Sequence, residues 1–248
     1  MKHSLLLMPF IVAFVFYLLA YFRKRGWPVY RLVFWGLGIL CSLGAMFGPL
    51  AEKAQVDFTY HMITHLLLGM LAPLLLALAA PMTLALGTLP VGIARRISGP
   101  LRSWPLGLFS DPFVASLLNI GGLWILYTTE LYQMMHGNMV LHLLIHLHVF
   151  LAGYLFTIAI VYIDPMPHRR SFSYRVIVLV ISLAGHNILA KWIYAHPPFG
   201  VPRTEAELGG LWMYYGGDAI DLILIILFFH QWYRATRPRY STVNNYQL

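Results

Sequence analysis

The sequence predicts an all-helical protein that crosses a membrane several times. Of its 248 residues, 59% are apolar or aromatic and only 10% are charged, whereas a soluble domain carries about 25% charged residues. The apolar residues form continuous runs of about the 20 residues that one spanning helix needs, without the alternation of a membrane β-barrel. We therefore expect a single integral membrane domain over residues 1–248, with no room for a soluble catalytic module.

Seven apolar stretches are predicted as the spanning helices. The first should be retained rather than cleaved, because a basic run at 23–25 follows it and no small-residue cleavage site does. The third is the longest and contains Pro73 and Pro81, so it should bend or end early. The other five are each predicted as one span. The stretches cover residues 5–22, 29–48, 60–86, 112–128, 139–162, 176–194 and 209–230.

The basic residues predict how this seven-helix bundle is oriented. In an alternating chain, 13 of the 17 Lys and Arg residues fall on one side, and the positive-inside rule assigns that side to the cytoplasm. The N-terminus is therefore expected outside and the C-terminus inside. The positive-inside rule also accounts for the net charge of +8, because the basic residues lie in short blocks between apolar runs. We therefore expect the lipid bilayer, and not nucleic acid, as the partner of these residues. The 13 residues are Arg23, Lys24, Arg25, Arg31, Arg95, Arg96, Arg102, Arg169, Arg170, Arg175, Arg234, Arg237 and Arg239.

Two pairs of histidines are the main candidates for a functional site. His61 and His65 open the third predicted helix, and His142 and His146 lie near the start of the fifth. Residues four apart share one helix face, and both helices enter from the predicted outer side. Ionisable groups inside a membrane pair with one another or mark a functional site. Three more lie at comparable depth in the last two helices: His186, Asp218 and Asp221.

These seven side chains predict a metal site in the outer half of the bundle, with a purely structural polar network as the alternative. His65 and His146 are expected to share one ion. Imidazole and carboxylate suit copper, zinc or iron, and the Irving–Williams order favours copper. Met134, Met135 and Met139 are a candidate patch for copper uptake, because thioethers bind Cu(I). The neighbouring His136 is expected in a loop, as a transient ligand at most. The single cysteine, Cys41, rules out a thiolate cluster.

The sequence around the histidines resembles the CtaG-type cytochrome c oxidase assembly factors. The resemblance covers roughly residues 58–228, and its most specific part is the first histidine block with the two prolines that follow. The motifs that carry it are, in order, His61-Met-Ile-Thr-His65, Ala72-Pro73, Ala80-Pro81, Arg95-Arg96, His142-x-x-x-His146 and Gly209-Gly210-Leu-Trp-Met.

This resemblance implies a multi-span protein of the bacterial plasma membrane that is not an enzyme. It implies a role in maturing a haem–copper oxidase, with copper received from an extracytoplasmic donor and supplied to the catalytic subunit. The fourth helix departs from the family pattern, because Tyr-Thr-Thr-Glu at 127–130 replaces His-x-Pro, and Glu130 is a candidate replacement ligand. Ligand roles carry over to His61, His65, His142 and His146.

Two other functions stay open on the residues alone. A membrane zinc-dependent lipid hydrolase would use the ion to activate water, with Asp218, Asp221 or Glu130 as the general base. A haem-binding electron-transfer protein would use His65 and His146 as axial ligands. A visible absorption spectrum separates haem from the other two, and metal analysis separates copper from zinc.

Overall fold

The computed structural model describes residues 2–101 and 103–238, and this part of the chain is helical with no β-strand. The all-helical prediction is therefore confirmed for the described residues. Two basic residues used to predict the orientation, Arg102 and Arg239, lie outside them. The helices are α1 (Lys2–Arg23), α2 (Val29–Met46), α3 (Pro49–Ala54), α4 (Phe58–Thr88), α5 (Val91–Leu101), α6 (Trp104–Phe109), α7 (Pro112–Thr128), α8 (Leu131–Gly137), α9 (Met139–Ile160), α10 (Phe172–Ala195) and α11 (Arg203–Thr236).

Each predicted stretch coincides with one of the long helices, and the fourth has the predicted bounds, Pro112–Thr128. The largest difference is at α11, which begins at Arg203, six residues before the predicted start. The sequence does not predict α3, α5, α6 and α8. These helices have only 6 to 11 residues. Because that is too few to cross a membrane, a search for apolar runs of spanning length assigns them to loops.

Five helices are long and apolar enough to cross a membrane on their own, namely α2, α4, α9, α10 and α11. The pair α7 and α8 is bent by 79° and adds a sixth span if the two are counted together. The apolar part of α1, Leu7–Arg23, is shorter than these. Among its described residues the chain is thus a polytopic membrane protein with five or six candidate spans. The count of seven and the orientation remain predictions.

Loops assigned by the sequence to one side of the membrane meet at one end of the bundle. Asp164, between α9 and α10, accepts hydrogen bonds from the backbone amides of Met82 and Thr83 in α4 at 3.0 and 2.7 Å. Arg170 forms an ion pair of 2.8 Å with Asp111 at the start of α7. We call this region the basic end.

The opposite end of the bundle joins the N-termini of α4 and α11. The backbone amide of Phe58 donates a hydrogen bond of 2.8 Å to the Glu205 carboxylate. Asp57 caps α4 by accepting a hydrogen bond of 2.7 Å from the amide of Thr59, which satisfies a donor that the first turn leaves free. These contacts place His61 one turn into α4, and we call this region the histidine end.

Helix α4 lies at the centre of the bundle and is interrupted twice. It contains a π-helical turn at Leu67–Leu71, and at Ala80 the backbone is left-handed, with φ of 52°. Pro81 then starts its last segment, so the predicted break near this proline is confirmed. In its middle, α4 meets α9 so closely that a Cβ on Gly153 would overlap with the carbonyl oxygen of Gly69.

Candidate functional site

His61 lies at the histidine end and is nearly buried, with 5% of its surface exposed. Its Nε2 is 3.1 Å from the hydroxyl of Tyr127 at the end of α7. Its ring packs edge-on against Tyr132 of α8, with ring centres 5.0 Å apart. The hydrogen bond and the aromatic contact together fix the orientation of the imidazole.

His142 and His146 lie one turn apart on α9, as their spacing predicts. Asn138 caps this helix by accepting hydrogen bonds from the amides of Val140 and Leu141 at 3.0 and 3.2 Å. The two imidazoles stack with ring centres 4.1 Å apart. His146 donates from Nδ1 to the carbonyl of His142 at 2.9 Å. Because a nitrogen that faces a carbonyl carries the proton, Nε2 of His146 keeps the lone pair that a metal ion requires.

A cavity of about 880 Å³ lies between α3, α4, α8, α9 and the C-terminal end of α2. The ring centre of His61 is 6.2 Å from that of His146 and 6.5 Å from that of His136. His136 donates from Nδ1 to the carbonyl of Tyr132 at 2.8 Å, so its Nε2 is also the free nitrogen. We call this space the four-histidine cavity. Its histidines are His61, His136, His142 and His146, and its methionines are Met46, Met135 and Met139.

His65 and His186 line a second and much smaller cavity, of about 30 Å³, in the interior of the bundle. Their ring centres are 6.4 Å apart. Neither Nε2 of His65 nor either ring nitrogen of His186 has a hydrogen-bond partner among the described residues. Asp221 of α11 reaches the same space, and Asn119 and Ser182 add to its polar lining. We call this space the buried cavity.

The structure divides the predicted ligands between the two cavities. His65 and His146, which were expected to share one ion, line different cavities. Asp218 lines neither of them, and its carboxylate accepts a hydrogen bond of 2.9 Å from Asn187. Within residues 2–101 and 103–238, no three His, Cys, Asp or Glu side chains stand ready around one point as metal ligands. Metal binding by these residues therefore stays a prediction.

Two residues, His136 in the wall of the four-histidine cavity and Tyr127 next to His61, contribute more to the site than the sequence predicts. His136 lies on helix α8 rather than in a loop, and its position four residues after Tyr132 was the available signal. Tyr127 belongs to the segment that departs from the family pattern, and its hydroxyl contacts His61. Glu130, the candidate replacement ligand in that segment, is exposed and lines neither cavity.

Three helices around the buried cavity contain a π-helical turn. These turns are Leu67–Leu71 in α4, Leu117–Gly121 in α7 and Trp212–Gly216 in α11. Gly69 and Asn119 lie within two of them and line the cavity. Gly217 follows the third, and a Cβ there would come 2.5 Å from Cε1 of His186. Such turns occur frequently at functional sites, and here two of them supply residues to the wall of one cavity while the third ends beside His186.

The fold and the two cavities define a polytopic membrane protein in which six histidines line two cavities. The family model of the cytochrome c oxidase caa3 assembly factors (Caa3_CtaG) matches residues 15–235, and the chain belongs to this family. The resemblance that the histidine and proline motifs indicate is thereby confirmed.

The curated relatives of the chain include uncharacterized mycobacterial proteins. One from Mycobacterium bovis and one from Mycobacterium tuberculosis are each 32% identical over 173 residues, which is 66% of this chain and 26% of theirs. Another, from Mycobacterium leprae, is 31% identical over 174 residues with the same coverage. The chain thus spans about a quarter of the length of these relatives. No solved structure matches it.

Proposed function

We propose that this protein is a cytochrome c oxidase assembly factor that binds copper in the four-histidine cavity and delivers it to the catalytic subunit of the oxidase. The observation that carries the proposal is that four imidazoles and three thioethers line one open cavity. Membership of an assembly-factor family supports the role in oxidase maturation. Copper is the cargo in this proposal, and the protein is not an enzyme.

The chemistry of the cavity suits a copper ion that must be passed on. Imidazole and thioether are ligands for copper, and thioether favours Cu(I). His136 and His146 each hold one ring nitrogen against a carbonyl, so each offers Nε2. The ring centres of His61 and His146 are 6.2 Å apart. Two imidazoles that bind one ion from opposite sides, through bonds of about 2.0–2.1 Å, have centres roughly 6 Å apart.

The proposed site faces the outside of a bacterial plasma membrane. The positive-inside rule assigns the basic end to the cytoplasm, which leaves the histidine end outside. A copper donor on that side would load the cavity, and the oxidase subunit would receive the ion there. The family assignment gives no support to the lipid hydrolase or the haem protein. Purified protein should accordingly lack haem absorption bands and should bind copper in preference to zinc.

Replacing His142 and His146 together by alanine tests the proposal. Both side chains are only partly buried, so the double variant should remain in the membrane. Its affinity for Cu(I), measured by competition with a chromophoric chelator, should fall at least about tenfold, since even residues that only orient ligands have effects of that size. In cells carrying the double variant as the sole copy, the oxidase should contain less copper and retain its haem.

His148→Gln is the matched control for this experiment. His148 lies on the same helix, outside the four-histidine cavity, and donates from Nε2 to the carbonyl of Leu118 at 3.1 Å. Glutamine keeps a donor there, so this variant should bind copper and mature the oxidase as the wild type does. Copper-loaded oxidase at wild-type level in cells with the double variant would overturn the proposal.

A further inference from the structure

The buried cavity contains more polar groups than the bundle satisfies. The exposed fractions of His65, His186 and Asp221 are 6%, 3% and 6%. Nε2 of His65 and both ring nitrogens of His186 are buried and have no hydrogen-bond partner among the described residues. Buried polar groups in proteins are nearly always paired with protein, water or a ligand. The space of about 30 Å³ is large enough for one water molecule or one ion.

The charge of the site favours a cation. Asp221 lies in the middle of α11, and neither of the ion pairs in the described part of the chain includes it. No Lys or Arg side chain lines the cavity. A carboxyl group in a membrane interior is normally paired with a positive charge or marks a functional site. The imidazoles that line the same cavity supply nitrogen lone pairs, so the three side chains together provide the donor types of a metal ion.

We propose that His65, His186 and Asp221 form a second binding site, which takes a single transition-metal cation apart from the four-histidine cavity. Two imidazoles and a carboxylate are a common donor set for zinc, copper and iron. The ring centres of the two histidines are 6.4 Å apart, which is roughly the separation across one ion bound at about 2.0–2.1 Å. The three side chains do not surround one point in this structure, so binding requires them to converge on the ion.

The identity of the ion rests on the proposed function, which makes copper the cargo. His61 lines the four-histidine cavity and His65 lines the buried cavity, one turn apart on α4. One turn is about 5.4 Å of rise, so the two sites lie close to each other on this helix. The open cavity is then the site of uptake and transfer, and the buried cavity holds an ion out of contact with competing ligands.

The number of ions bound per chain tests the second site. Full-length protein, purified in detergent without metal, is loaded separately with Cu(I) under a reductant and with Zn(II), freed of excess ion and analysed for metal. The wild type should hold two copper ions per chain. His186→Gln should hold one, and His142→Ala with His146→Ala should also hold one. Thr157→Val, a buried change at the wall of the same cavity that removes no ligand, should hold two.

The results separate this proposal from the proposed function. The wild type could bind one copper ion, which the His142→Ala and His146→Ala variant loses and His186→Gln keeps. That result would disprove the second site and leave the first intact. Two ions that persist in both His186→Gln and Asp221→Asn would also disprove it, and so would a buried cavity that holds only water. The variant without His142 and His146 could still bind one copper ion per chain and lose it when Asp221→Asn is added. That result would support the buried site alone. If His186→Gln fails to fold, Asp221→Asn, which preserves volume, decides the result.

Discussion

Single residues beside the histidines control which nitrogen each imidazole can offer. In the four-histidine cavity, backbone carbonyls accept hydrogen bonds from Nδ1 of His136 and of His146. The Tyr127 hydroxyl contacts Nε2 of His61. Partners of this kind fix the tautomer and the direction of a ligand, and their loss typically lowers metal affinity about 10–100-fold. Of these partners only the tyrosine can be changed without changing the backbone.

Tyr127→Phe should therefore weaken copper binding while the fold is kept. The change removes the hydroxyl that lies 3.1 Å from His61 and leaves the ring in place. We expect an affinity for Cu(I) lower by about tenfold or more, with unchanged elution of the protein in size-exclusion chromatography. Tyr132→Phe is the control, because its ring also packs on His61, whereas the hydrogen bond of that imidazole in the described residues goes to Tyr127. Equal affinities for the two variants would show that the Tyr127 hydroxyl has no orienting role.

Helix periodicity predicts which histidines of the candidate site share a helix face, but it does not predict which helices face each other. Spacing places His61 with His65 on one face, and His142 with His146 on another, and the structure keeps both pairs on single helices. Spacing does not give the rotation of one helix against the next. Packing therefore decides that His61 faces His146 and that His65 faces His186.

At the scale of elements, the long apolar helices are predictable because twenty consecutive apolar residues have few alternatives. The depth of a residue within a helix is less predictable. Helix α11 begins at Arg203, so counting from Gly209 misses six residues, or about 9 Å at 1.5 Å per residue. Its π-helical turn at Trp212–Gly216 then changes the face on which later residues lie. Of the two aspartates that follow this turn, Asp221 lines the buried cavity, whereas Asp218 accepts a hydrogen bond from Asn187.

The close contact between α4 and α9 leaves no space for a side chain at Gly153. Gly153→Ala should destabilise the protein, because the added methyl would overlap with the backbone carbonyl of Gly69 and a backbone atom cannot rotate away. Overpacking of this kind costs about 1–3 kcal/mol, which should appear as a lower midpoint of thermal unfolding in detergent. Gly44→Ala in α2 is the control, since no atom lies within 4 Å of its added Cβ. Alanine in a helix should raise stability there by about 0.5–1 kcal/mol. Equal midpoints would contradict the tight packing at Gly153.

At the scale of the whole molecule, the distribution of charge and the contacts between loops agree. The segments that carry Arg170, Asp111 and Asp164 meet at the basic end, and Glu205 meets the start of α4 at the other end. The bundle thus has one end rich in arginine and one end where the four-histidine cavity lies. This polarity is what the proposed exchange of copper with partners outside the cytoplasm requires.

The basic end and the histidine end should face opposite sides of the membrane. Cys41 is the single cysteine, so Cys41→Ala gives a background in which Gly99→Cys, Arg169→Cys and Arg203→Cys can be labelled one at a time. Gly99 has no atom within 4 Å of an added Cβ, and both arginines are exposed, so the changes should be tolerated. Because the positive-inside rule holds arginine-rich loops in the cytoplasm, a maleimide that does not cross membranes should label position 203 in spheroplasts. It should label positions 99 and 169 only after permeabilisation. Labelling of 99 and 169 alone in intact spheroplasts would invert the bundle and place the four-histidine cavity on the cytoplasmic side, against the proposed delivery of copper from outside.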